Sequence, residues 1–106
     1  MKKASYYKLI RDKIPEIIEK QGKICVTETL SQEAYIQMLD EKLNEELAEY
    51  QESKSLEELA DLLEVMEAVT TARGYTWEQL QRVRDEKRNQ RGGFAERILL
   101  KEVIEL

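Results

Sequence analysis

The chain has 106 residues, 42% hydrophobic and 37% charged, with one proline and four glycines, which suits one helix-rich globular domain over residues 1–106. A net charge of −5 and a pI of about 4.9 argue against a nucleic-acid polymer as partner, because such binding rests on many neutralised phosphates. With no histidine in the chain, zinc–histidine sites, Ser-His-Asp or Cys-His catalysis and Glu-x-x-His di-iron bundles are all excluded.

The elements follow in chain order. Residues 1–13 are polar and basic, with Lys8, Arg11 and Lys13 around Leu9 and Ile10. They read either as a solvated basic loop or as a loop that docks over an anionic substrate, whose charge exceeds what one cation neutralises. Pro15 suits the first turn of a short helix with Ile14, Ile17 and Ile18 on its apolar side, ending near Gly22. Residues 23–29 are β-branched and partly alternating, so a short extended segment is expected there. The lone cysteine, Cys25, reads as a small buried hydrophobe of a reducing cytosol.

Ser31 predicts a helix start, and the helix should run to about Ser53, burying Tyr35, Leu39, Leu43, Leu47 and Tyr50. Ser53-Lys54-Ser55 makes a tight turn, which forces the next helix to lie antiparallel and alongside. That helix continues through Leu63, Met66 and Val69 to Arg73, with Gly74 as its stop. Thr76 and Gln79 form a capping box for a last helix, whose Arg84, Lys87, Arg88 and Arg91 recur at helical spacing as one positive stripe before Gly92-Gly93. The tail from Arg97 fits strand or helix by pattern; pairing as a strand with residues 23–29 is the favoured reading. No apolar run suits a signal peptide or a bilayer span, so a cytoplasmic location without membrane contact is expected.

The chemistry concentrates in two acidic stretches. At about 100° per residue, Glu46 falls on the face of its helix that carries Leu43, Leu47 and Tyr50, with Lys42 and Glu49 flanking it. On the next helix Glu58 shares a face with Leu62, Val65, Met66 and Val69, and Asp61 sits at its edge. Carboxylates aimed at a core from two neighbouring helices repel and lose hydration unless a cation sits between them. Oxygen-only ligands suit Mg²⁺, or Mn²⁺, hard ions that also accept phosphate oxygens. Ser55-x-x-Glu58 offers a rival role, a capping box in which the Glu58 carboxylate returns to the Ser55 backbone.

Glu-Glu-x-x-Glu at residues 45, 46 and 49, followed by Glu-x-x-Asp at 58 and 61, resembles the all-α nucleoside triphosphate pyrophosphohydrolases of the MazG-like superfamily. The opening Tyr7-Lys8-Leu9-Ile10-Arg11-Asp12-Lys13-Ile14-Pro15 and the late Lys87-Arg88-Asn89-Gln90-Arg91-Gly92-Gly93-Phe94 are similar to its small house-cleaning branch. The spacer from Tyr50 to Glu57 is shorter than is usual in that superfamily, which keeps Glu57 as a fallback ligand.

The resemblance implies a mainly α, MazG-like helical bundle, here with a short strand pair from residues 23–29 and the tail. It implies Mg²⁺-dependent cleavage of a nucleoside triphosphate, noncanonical ones included, between the α and β phosphates, releasing monophosphate and pyrophosphate. Glu46, Glu49, Glu58 and Asp61 are the expected metal ligands, and Glu45 or Glu49 the expected general base. Lys8, Arg11, Lys13, Lys42, Lys87, Arg88 and Arg91 are the expected substrate-binding residues. A homodimer or higher homo-oligomer is expected as well, both from the resemblance and because two long amphipathic helices in so short a chain leave apolar surface to cover. A phosphoribosyl-ATP pyrophosphohydrolase on the same fold, a nucleotide sensor without turnover and a non-catalytic helical binding module are the competing readings.

Overall fold

The computed structural model describes residues 1–106 and is mainly helical, with four helices and no strand: α1 (Ile14–Lys20), α2 (Gln32–Ser53), α3 (Leu56–Ala72) and α4 (Trp77–Arg91). The chain forms two compact units, Met1–Tyr75 with α1 to α3, and Thr76–Leu106 with α4 and the tail. No helix is long and apolar enough to cross a membrane.

In the first unit α2 and α3 form an antiparallel hairpin. The Ser31 hydroxyl accepts from the Ala34 N–H and starts α2. Lys54, in the left-handed region at φ +57°, ends α2 by donating its N–H to the Tyr50 carbonyl. One residue later Ser55 caps α3. At the far end the Gln32 side chain donates to the Ala72 carbonyl, and Arg73 pairs with Asp40 at 2.7 Å. These contacts fix the register. Steps of seven residues inward from Gln32 on α2 give Leu39 and Glu46; the same steps from Ala72 on α3 give Val65 and Glu58. The hairpin is therefore layered: a polar end layer, an apolar layer in which Leu39 and Val65 are buried, and an acidic layer nearest the turn. A seven-residue step keeps each layer on the seam because it nearly completes two helical turns.

The seam is narrower than the sequence pattern suggests. Tyr35, Leu43 and Tyr50 are half-buried, whereas Leu47 and Met66 are exposed, each turned away from the line set by Leu39 and Val65. Gly74, at φ +90°, closes α3 in a conformation that side chains rarely adopt.

The expected strand pair is not formed. Residues 23–29 and the tail have no regular secondary structure, and Ile24 and Val26 are 90% and 94% exposed. β-branched composition stabilises a strand only through packing on neighbouring strands and burial of one face. Neither segment has a covered face. Cys25, expected buried, is a half-buried free thiol.

In the second unit α4 starts with a complete capping box: the Thr76 hydroxyl accepts from the Gln79 N–H, and the Gln79 side chain accepts from the Thr76 N–H. From Arg82 onward every side chain of α4 is exposed.

Candidate metal centre

The acidic layer brings Glu46, Glu58 and Asp61 together, each offering a carboxylate oxygen within 4.8 Å of the others. Glu46 comes from α2; Glu58 and Asp61, three residues apart, come from adjoining positions on α3. Glu46 is only 7% exposed, and its Oε2 is buried without a hydrogen-bond partner. Glu58 Oε2 is likewise shielded and unpartnered. A buried carboxylate oxygen with no donor is costly, and such groups are normally paired or hold a cation.

The electrostatics agree. Burial pushes the Glu46 carboxyl above its ordinary value, and the charges of Glu49 and Asp61 add to the shift against the opposing pull of Lys42. Glu58 is raised too, by desolvation first and then by Glu49, Asp61 and Glu46. Glu49 is itself exposed and stands at the rim, close enough to act on both. Four carboxyls thus repel one another around a point that a divalent cation would relieve, and the donor set is all oxygen, as Mg²⁺ and Mn²⁺ require.

The two roles open to Glu58 separate here. The Ser55 hydroxyl accepts from the Glu58 N–H, but the Ser55 N–H donates to the Ser53 hydroxyl and not to the Glu58 carboxylate. The second half of the box is therefore missing. Thr76 and Gln79 make both halves. Because Ser53 takes over the cap's N–H, the Glu58 side chain is free to turn into the acidic layer.

Basic residues surround the layer. Lys42 Nζ lies 3.2 Å from Glu45 Oε2 and 3.4 Å from Glu46 Oε1, one turn along α2. Lys8, from the segment before α1, donates to Glu45 Oε1 at 3.2 Å, and Arg11 donates to Asp61 Oδ1 at 2.7 Å. Glu45 therefore serves two lysines; although desolvation opposes it, their hydrogen bonds and charges hold its carboxyl below the ordinary range. Lys13 stands at the N-terminus of α1 with no ion pair, and Glu57 is exposed in the first turn of α3. Lys87, Arg88 and Arg91 lie exposed along the last turns of α4, in the second unit.

Sequence reading missed the partners of Lys8 and Arg11, which are 37 and 50 residues distant and carry no local signal. It also missed a recess of about 400 Å³ between the start of α2 and the end of α3, bordered by Gln32, Tyr35, Glu64, Glu67 and Thr71.

A protein of Mycolicibacterium smegmatis, described as an uncharacterized protein, is 51% identical to the chain over 41 residues. The match covers 39% of this chain and 42% of that relative's own length. No family model matches the chain. No solved structure matches it.

Proposed function

We propose that the chain is a divalent-cation-dependent nucleoside triphosphate pyrophosphohydrolase of the MazG-like superfamily, acting on canonical or noncanonical nucleotides. The observation that carries this reading is Glu46: a carboxylate more than nine-tenths buried, with one oxygen unpartnered, in a group with Glu58 and Asp61. A solvated acidic face would leave its carboxylates in water; this one withdraws a carboxylate from water, pairs one oxygen with Lys42 and leaves the other without a donor.

Glu46, Glu58 and Asp61 would hold the ion, and Glu49, at the rim, could add a further oxygen. Bound there, Mg²⁺ supplies charge neutralisation for the leaving pyrophosphate and lowers the pKa of a water. A water attacking the α phosphorus would break its bond to the bridging oxygen and release pyrophosphate, with Glu49 as the group that would accept the water's proton. Glu45 is the weaker choice as base, because two lysines stabilise its ionised form. Lys8 and Arg11, ahead of α1, and Lys42 on α2 bind the phosphate oxygens and position them. Lys13 would join the phosphate contacts on the strength of the resemblance alone.

The test is product identity. The pure protein is incubated with ordinary and modified nucleoside triphosphates, with Mg²⁺ or chelator, and the products are read by phosphorus NMR. Pyrophosphate and monophosphate, lost with chelator and in Glu46→Gln and Asp61→Asn, are expected. Orthophosphate as first product would move the cut to the γ position. No turnover would favour a binding module.

A further inference from the structure

The recess between the start of α2 and the end of α3 lies on the same flank of the hairpin as the acidic layer. Tyr35 of α2 and Ala68 of α3 border it from opposite sides. One seven-residue step toward the turn along each of those rows gives Lys42 on α2 and Asp61 on α3. Lys42 pairs with Glu46, and Asp61 belongs to the acidic group. The rows therefore lead from the recess to the acids without crossing the seam, over about 10 Å along the helices. That span is comparable with the reach of a nucleotide from its outer phosphates to its base.

The recess also has the size and lining of a small-molecule subsite. Its volume is about 400 Å³, within the range of ligand pockets. Half-buried Tyr35 gives it an aromatic wall, and the small side chains of Ala68 and Ala72 leave room opposite. Its polar groups are Gln32, Glu64, Glu67 and Thr71, with no basic residue among them. Neither Glu64 nor Glu67 takes part in an ion pair. An ionised carboxylate only accepts hydrogen bonds, so these two repel phosphate and favour a group that brings N–H donors. The two ends of the flank thus differ in chemistry: a cation site with Lys8, Arg11 and Lys42 around it, and an acceptor-lined recess beside a tyrosine.

We propose that the recess is a nucleobase subsite, in which a base with an exocyclic amino group lies against Tyr35 and donates to Glu64 or Glu67. The proposal rests on the acidic layer being the seat of a metal-bound triphosphate. Cytosine and adenine carry an amino donor where thymine, like uracil, presents a carbonyl acceptor. A carbonyl oxygen set against a carboxylate is repelled and leaves both groups unpaired. Stacking on an aromatic ring accepts every base, so Tyr35 supplies affinity and the glutamates supply the choice.

The test is calorimetric titration of the full chain in Mg²⁺ with three probes: the α,β-methylene analogues of CTP and UTP, which resist cleavage, and inorganic tripolyphosphate, which has no base. The cytosine analogue should bind about 10-fold or more tightly than the uracil one. Glu64→Gln combined with Glu67→Gln supplies donors as well as acceptors and should bring the two analogues within about twofold, while tripolyphosphate binding holds or rises with the loss of negative charge. Thr71→Trp, at an exposed position, should fill the recess and lower the affinity of the cytosine analogue toward that of tripolyphosphate. Tripolyphosphate binding without discrimination between the analogues, or a cytosine preference unchanged in the double variant, would overturn the subsite and leave the metal site standing. No Mg²⁺-dependent binding of any probe would remove the reading of the acidic layer, and this proposal with it.

Discussion

Arg11 Nη2 lies 2.7 Å from Asp61 Oδ1, so a residue ahead of α1 reaches, across 50 residues of sequence, the acid that completes the group with Glu46 and Glu58. Both partners are about half exposed, and an ion pair of that kind contributes under about 1 kcal/mol to stability. Its interest lies in competition. Arg11 and a divalent cation compete for the negative charge of one carboxylate, so a bound ion weakens the Arg11 pair and makes the guanidinium more available to an anionic ligand. Arg11→Gln should therefore tighten Mn²⁺ binding by up to about fivefold, while weakening binding of a triphosphate in the presence of metal. Calorimetric titration of each ligand checks both directions.

Lys42 is the less exposed counterpart, its side chain 17% exposed and shared between Glu45 and Glu46. Its loss leaves two partly desolvated carboxylates without a cation. Lys42→Met should lower stability by about 1–3 kcal/mol, between the limits for exposed and buried pairs, and added Mg²⁺ should recover part of that loss. Urea unfolding with and without Mg²⁺ measures both quantities.

The caps separate the two roles of the α3 entrance. Ser55→Ala removes an acceptor from the Glu58 N–H and should cost about 1 kcal/mol. Glu58→Gln leaves that bond in place and lifts repulsion from Glu49, Asp61 and Glu46. It should hold or raise the melting temperature of the metal-free protein and abolish any rise on adding Mg²⁺. A large drop in metal-free stability would return Glu58 to a capping role.

Stability against pH has a definite sign. Glu46 and Glu58 have their carboxyls raised above 4.5 in the folded chain. The folded state then binds more protons than the unfolded one, so their contribution is fully present below that value and lost as pH rises through the raised values. Glu45, lowered, acts in the opposite sense and loses its contribution only as pH falls below 4.5. The urea midpoint of the metal-free protein should accordingly decline from about pH 4.5 toward neutrality. Saturating Mg²⁺ should flatten that decline, and Glu46→Gln should reduce it.

Much of the hairpin was legible in the sequence because its signals are local. Ser31, Ser55 and Thr76 each cap the helix they were expected to start, and Ser53 and Gly74 stand at the expected stops. The acids at 46, 58 and 61 could be assigned to facing sides because helical spacing and a tight turn are both sequence properties. What failed depended on distant partners. Residues 23–29 and the tail have strand composition without a covered face, and composition alone does not make a sheet. Leu47 and Met66 carry the right periodicity within its tolerance yet turn outward, since a seam between two helices is narrower than an apolar stripe. The Lys8–Glu45 and Arg11–Asp61 pairs required the tertiary fold itself.

The central claim is that the acidic layer is a cation site, and Mn²⁺ titration followed by electron paramagnetic resonance tests it without reference to turnover. The wild-type chain should show a saturable population of bound Mn²⁺, displaced by Mg²⁺ but not by Na⁺, that disappears in Glu46→Gln while the helical circular dichroism signal is unchanged. Free Mn²⁺ throughout the titration, or binding as strong in Glu46→Gln as in the wild type, would contradict the claim.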